Sequence, residues 1–344
     1  MKKIGIITLT GYFNYGNRLQ NYALTKVLEK EGYEVYTIWN NSLKEQIKNK
    51  VKTMCFFKKK YHKTKYFYKF SKRNMKEFYL KNNDLSYFDY LVIGSDQVWN
   101  PKYIDENNFL LYKPTINQNV FSYAASLGVE NIPEKYHSKF IDALKNYKAI
   151  SVREESGKKA ISKVTDKKIE VVLDPTLLLN SKEWLEIQKK PKKMEKKEKY
   201  ILCYFLGEPK ESEKNSIKEY AKKNNYKIIN LTDPNDDYYS TGPEEFVYLI
   251  NNSIMVCTDS FHACVFSFIF NKPFVVFKRK GCSDYMYSRI DNLIKKFNLK
   301  NREYNGVNIN DLNLMNNYEE SYKILENEKS KSINYIIEAL SGRK

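Results

Sequence analysis

Short apolar runs alternate with stretches of helical periodicity along the whole chain, and that alternation restricts it to βαβ units on a mostly parallel sheet. Residues 4–9 read as a first buried strand. A helix over 17–30 follows, with Leu19, Ala23, Leu24, Val27 and Leu28 on one face and Gly32 just past its end. Residues 34–39 form a second strand, and more are predicted at 90–93, 120–124, 150–152 and 169–173, with helices at 134–145 and from 155 towards 163. After a Lys- and Glu-rich stretch around Pro191 the pattern restarts. Strands at 200–206, 226–231, 254–258 and 274–277 alternate there with helices at 211–223, 244–251, 261–270 and 287–297.

At 344 residues, 42% of them hydrophobic, the chain can hold two cores. The expected fold is α/β, with two Rossmann-like domains facing across a cleft. The N-terminal domain would occupy 1–185, with a basic-aromatic insertion at about 44–81. A linker at 186–198 leads to a C-terminal domain at 199–317, and a final helix within 318–344 is placed back against the first domain. Such an architecture puts an active site at the carboxyl ends of the strands.

No run approaches the ~20 apolar residues of a membrane span, and the short apolar stretch after Met1-Lys2-Lys3 has no cleavage site behind it, so a cytoplasmic protein is expected. The five cysteines (Cys55, Cys203, Cys257, Cys264, Cys282) are odd in number and scattered, which fits reduced thiols. His62, His137 and His262 lie too far apart for a zinc motif, and no metal site is expected. The net charge of +18 favours anionic partners: nucleic acid, acidic headgroups or phosphorylated small molecules.

Four strand ends carry candidate chemistry. After the first strand, the run from Gly11 to Tyr22 holds Asn14, Gly16, Asn17, Arg18 and Gln20 at a helix start, suited to an anion or a sugar. It has neither a P-loop ending nor a dinucleotide fingerprint. Ser95, Asp96, Gln97 and Trp99 combine paired donors and acceptors with an aromatic, as carbohydrate recognition requires, although Trp99 equally suits a core. Arg153 opens a helix beside Glu154 and Glu155, where it could grip an anion or form a salt bridge. In Thr258-Asp259-Ser260-Phe261-His262, an imidazole at a strand end beside Asp259 and Ser260 suits proton transfer.

These motifs, with Phe88-Asp89-Tyr90, Leu173-Asp174-Pro175-Thr176 and Gly242-Pro243-Glu244-Glu245-Phe246, resemble in order the polysaccharide pyruvyl transferase family over roughly residues 3–280. The resemblance implies a fold like that of GT-B glycosyltransferases and transfer of the pyruvyl unit of phosphoenolpyruvate onto hydroxyls of a surface-polysaccharide or cell-wall sugar. It also implies His262 as proton donor or acceptor and Arg153 as a binder of the donor anion. Many members carry Arg where this chain has Ser260, so Arg279, Lys278 or Arg18 would supply the missing cation beside Ser260. Asn14, Gly16, Asn17, Gln20, Ser95, Asp96, Gln97, Trp99 and Asp259 would face the acceptor. Phosphoenolpyruvate enters as donor substrate, and no cofactor is called for. The acceptor would be a sugar or a lipid-linked oligosaccharide, and nucleic acid is not an expected partner.

Two rival readings are a nucleotide-sugar glycosyltransferase on the same fold and a non-enzymatic basic protein binding surfaces or nucleic acid. The Phe, Tyr and Lys residues interleaved over 44–81 suit either a solvated helix or peripheral contact with an anionic membrane on its inner face.

Overall fold

The computed structural model describes residues 1–39, 58–80, 85–106, 108–194, 198–279, 284–299, 301–306, 309 and 318–342. Positions 44–57 and 81 of the basic-aromatic stretch, 195–197 of the expected linker, and Cys55 and Cys282 lie outside the described residues.

In the first unit, β1 (Lys3–Ile7) pairs in parallel with β2 (Glu34–Trp39) on one side and β4 (Tyr90–Ile93) on the other. The outer strands are β3 (Lys76–Tyr79) beside β2 and β5 (Val120–Ser122) beside β4, giving the order β3-β2-β1-β4-β5. Single bridges from Phe121 to Ala149 and from Ala125 to Val152 extend the sheet to the parallel pair β6 (Ile150–Val152) and β7 (Ile169–Val171). Ile4, Ile6 and Ile7 are buried, as expected of a parallel strand covered on both faces.

Helix α1 (Tyr15–Lys30) starts two residues earlier than its apolar periodicity suggests, because Asn14 caps it by accepting from the Asn17 amide. β5 stops at Ser122, short of the predicted 124, where Ala124 turns into the left-handed region (φ 49°).

The second unit is a parallel sheet of order β11-β10-β8-β9, built from β8 (Tyr200–Tyr204), β9 (Lys227–Asn230), β10 (Met255–Thr258) and β11 (Phe274–Val276). Among the described residues, its compact unit comprises those within 180–326 together with Lys58–Phe70, the first part of α2 (Lys58–Asn74). Phe67 and Phe70 are fully buried there, Tyr66 packs against Gly242, and the Lys63 ammonium reaches the Leu231 carbonyl (3.5 Å) over the Tyr239 ring (4.8 Å to its centroid). These side chains are core, which removes Phe67, Phe70 and Lys63 from the set expected to anchor at a membrane. Residues 180–194, which include the first part of the expected linker, pack with this unit; Trp184, for example, sits edge-on to Phe266 (4.8 Å).

The terminal helix α3 (Glu319–Ser341) has its residues from Asn327 onward in the first unit. There the Ser332 hydroxyl accepts from the Leu173 amide (3.0 Å), Tyr335 donates to the Ser122 carbonyl (2.8 Å), and Tyr90 donates to the Leu340 carbonyl (2.8 Å).

Candidate active site

In each of the two larger sheets the strand order reverses once, between β1 and β4 and between β8 and β10. Ligands of open α/β sheets bind at the carboxyl ends of such strand pairs. The polar motifs of the sequence fall at these two reversals.

At the first reversal, Asp96 adopts a left-handed backbone (φ 68°) just past β4. Gly94 (φ 138°) comes so near the next strand that a Cβ there would lie 2.0 Å from the Tyr123 carbonyl. A chain of polar contacts then crosses the strand ends. Arg18 donates through Nε and Nη2 to Asn17 Oδ1 (3.2 and 2.9 Å), and Asn17 Nδ2 reaches Asp96 (3.5 Å). Asp96 faces Arg153 Nη1 at 3.8 Å, while Arg153 is held at 2.9 Å by Asp174 and at 3.4 Å by Glu154. Ser126 donates to Glu154 (2.6 Å), and Asp174 accepts from the amide and hydroxyl of Thr176.

This geometry changes several expected roles. Three carboxylates surround Arg153 and raise its pKa despite burial. Asp96 is the most distant and most exposed of the three. Arg18, expected to hold the donor, is wholly buried; it donates to the Leu9 carbonyl (2.6 Å) and lies over the Trp39 ring, and burial lowers its pKa to about 10. It pins the β1–α1 loop instead.

Gln20 and Ser95 are equally buried, Gln20 donating to Thr8 Oγ1 and Ser95 to the Ala124 carbonyl. Trp99 is 0% exposed and sits edge-on to Phe140, so it plugs the core and does not stack on a sugar. Of the expected acceptor contacts, Asn14 and Gln97 are half-buried and Asn17 and Asp96 retain slight exposure. Gly16 is buried in the first turn of α1.

At the second reversal, β10 runs through Asp259 and Ser260 into α4 (Phe261–Ile269), so His262 occupies that helix's first turn. Asp259 was expected to bind acceptor and Arg279 to bind donor. The structure pairs them with each other: Arg279 Nε donates to Asp259 Oδ2 (2.8 Å) and Nη2 to the Asp259 carbonyl (3.2 Å). The same carboxylate accepts from the Leu206 and Gly207 amides (2.6 and 2.8 Å). The buried Ser260 donates its amide to Thr258 Oγ1. Lys278 is exposed, its ammonium over the Tyr287 ring. Among the described residues, no group of three or more His, Cys, Asp or Glu side chains is arranged to hold a metal ion.

Sequence reasoning gave Asp174 no task. Its Asp-Pro-Thr context is a cap signature, with Pro in the first helical position, and could have marked it as a buried, oriented carboxylate. Glu77, buried under Tyr12 and Tyr79, carries no such signal.

The sequence profile of the polysaccharide pyruvyl transferase family matches residues 14–281, a stretch that contains Asp96, Arg153 and His262. The chain belongs to this family. Among solved structures, this transferase is similar to one from Listeria monocytogenes assigned as a UDP-N-acetylglucosamine 2-epimerase (13% identity, all of this chain and 97% of that one, TM-score 0.57). It is also similar to a glycosyltransferase from Rickettsia africae (12% identity, 97% and 94% coverage, TM-score 0.51). At that identity the likeness is one of fold, and the transferase has the GT-B-like α/β class with Rossmann-like units. No curated protein matches it.

Proposed function

We propose that this transferase moves the pyruvyl unit of phosphoenolpyruvate onto two hydroxyls of one sugar in a surface polysaccharide or its lipid-linked precursor, closing a ketal. The observation that carries the reading is the placement of His262, in the first turn of a helix at the strand reversal of the second sheet, in a chain of this family.

The imidazolium delivers a proton to the enol methylene carbon, and C2 becomes an oxocarbenium-like centre. One sugar hydroxyl adds to C2 and gives up its proton. Phosphate then departs with the electrons of its C2–O bond, and a second hydroxyl closes the ring and loses its proton. One of the two released protons restores His262 and the other leaves with phosphate, so the site returns to its starting state. Lys278 and the positive end of the α4 dipole supply positive potential for the leaving phosphate.

The same fold also serves a glycosyltransferase, so donor choice is the test that discriminates. Phosphoenolpyruvate should raise the melting temperature of the purified protein, and UDP- or GDP-sugars should not. The reverse pattern would replace this reading with nucleotide-sugar transfer. Among the described residues no helix is long and apolar enough to cross a membrane. Peripheral contact with an anionic membrane is part of the proposal, and co-sedimentation with anionic vesicles tests it; absence from such pellets would remove it.

A further inference from the structure

The turn that presents His262 is held from both neighbouring strands. Thr258 Oγ1 donates to the Tyr204 carbonyl at the end of β8 (2.6 Å) and accepts from the Ser260 amide (3.0 Å). Asp259 takes the Leu206 and Gly207 amides beyond β8 with its two carboxylate oxygens, and Arg279, beyond β11, grips both its carboxylate and its carbonyl. The pairing is sheltered, the Asp259 side chain being 3% exposed. Backbone sterics reinforce it: a Cβ on Gly207 would lie 2.4 Å from Arg279 Cγ and 3.2 Å from Asp259 Oδ2, so the Arg279 stem lies directly against the glycine.

We propose that Arg279, gripping Asp259 against Gly207, is a positioning residue that fixes the strand-to-helix turn and thereby the place of the His262 imidazole. This rests on the reading of His262 as the acid/base. Two-point contact to a side chain and to its own carbonyl defines direction as well as distance, which a planar guanidinium does and an ammonium does not. Asp259 and Arg279 therefore serve the chemistry without touching the substrate. The cation this chain has at 279 is spent on orientation, so the donor anion meets Lys278 and the positive end of the α4 dipole in place of a second arginine.

The test uses the three histidines of the chain, His62, His137 and His262. With histidine labelled at ring Cε1 alone the whole protein gives three imidazole carbon–proton signals, and His262→Asn identifies the one that belongs to position 262. Arg279→Gln, Arg279→Lys and Gly207→Ala should each move the His262 signal and leave those of His62 and His137 in place. Lys278→Gln, which removes a neighbouring charge but leaves the grip intact, should move it much less. In turnover with phosphoenolpyruvate, Arg279→Lys should lower kcat by ~10–100-fold at nearly unchanged KM, the signature of a misplaced group. An unmoved His262 signal in both Arg279 variants overturns the proposal, as does an equal displacement by Lys278→Gln, which would make the effect one of field alone. The spectra need no substrate, so they decide the positioning claim even if phosphoenolpyruvate proves not to be the donor.

Discussion

Lys63 offers a direct check on the energetics of the second unit. Its ammonium is buried, and desolvation pushes its pKa from 10.5 down to about 8. That gap corresponds to ~3 kcal/mol by which burial penalises the charged form. Lys63→Met removes the penalty and keeps most of the apolar stem. It forfeits the contact with the Tyr239 ring, ~1 kcal/mol, and the long bond to the Leu231 carbonyl, ~0.5 kcal/mol, so the variant should be more stable by ~1–2 kcal/mol near pH 7.

The sign of the pH dependence follows from proton counting. Between pH 8 and 10.5 the unfolded chain keeps the Lys63 proton and the folded chain sheds it, so wild-type stability gains with rising pH across that window. Below pH 8 both states are charged and the penalty is complete. The advantage of the Met variant should therefore be largest below pH 8 and vanish towards pH 10.5. Urea unfolding followed by circular dichroism, comparing the two proteins at each pH, cancels every titration common to both. A variant that is less stable at pH 7 by an amount that does not change with pH would instead make Lys63 a net stabilising anchor.

Other outcomes follow from the first unit and from His262. Arg153→Met should destabilise by ~3–5 kcal/mol, because it strands Glu154 and Asp174 as buried, uncompensated carboxylates; a loss under ~1 kcal/mol in denaturant titration would mean that the cluster relaxes or protonates freely. Trp99→Ala should cost ~3–5 kcal/mol through the cavity it leaves beside Phe140, while surviving folded enzyme keeps its acceptor KM; a raised KM with intact stability would restore Trp99 to the sugar site. Gly94→Ala should lower the melting temperature, with at least ~1–3 kcal/mol of backbone strain added to the clash with the Tyr123 carbonyl, and an unchanged melting temperature would contradict that close approach. His262→Ala should cut turnover by ~10²-fold or more with the circular dichroism spectrum intact, whereas near-native turnover would remove His262 from the chemistry.

The alternation of apolar runs and helical periodicity was enough to read the α/β class, because parallel strands buried on both faces leave continuous apolar signatures such as Ile4-Gly5-Ile6-Ile7. β3 escaped it: Lys76-Glu77-Phe78-Tyr79 is an edge strand with a charged, half-covered pattern. The strand-end motifs were legible as polar density, but burial within them was not. Arg18, Gln20 and Ser95 look no different in sequence from Asn14 and Gln97, yet the first three turn inward, to the Leu9 carbonyl, the Thr8 hydroxyl and the Ala124 carbonyl respectively. Pairing at a distance was equally hidden. Arg153 meets Asp174 and Arg279 meets Asp259 across 21 and 20 residues, and only the parallel strand order brings them together. The membrane reading of the aromatic-basic stretch failed at Phe67 and Phe70 for the same reason, since helical periodicity does not reveal which unit a face packs against.

Proton transfer to phosphoenolpyruvate and capture of its C2 by sugar hydroxyls can be followed in one reaction. The protein is incubated with phosphoenolpyruvate in heavy water together with the envelope polysaccharide and lipid-linked oligosaccharide fraction of its own cells, and the sugars are analysed by mass spectrometry and NMR. The expected products are a sugar bearing a carboxyethylidene ketal whose methyl group carries one solvent deuterium and an equal amount of released phosphate, with loss of both in His262→Ala. Contradiction would come from ketal formation that persists in that variant, or from a fraction left unmodified with phosphoenolpyruvate but glycosylated when a nucleotide sugar is supplied.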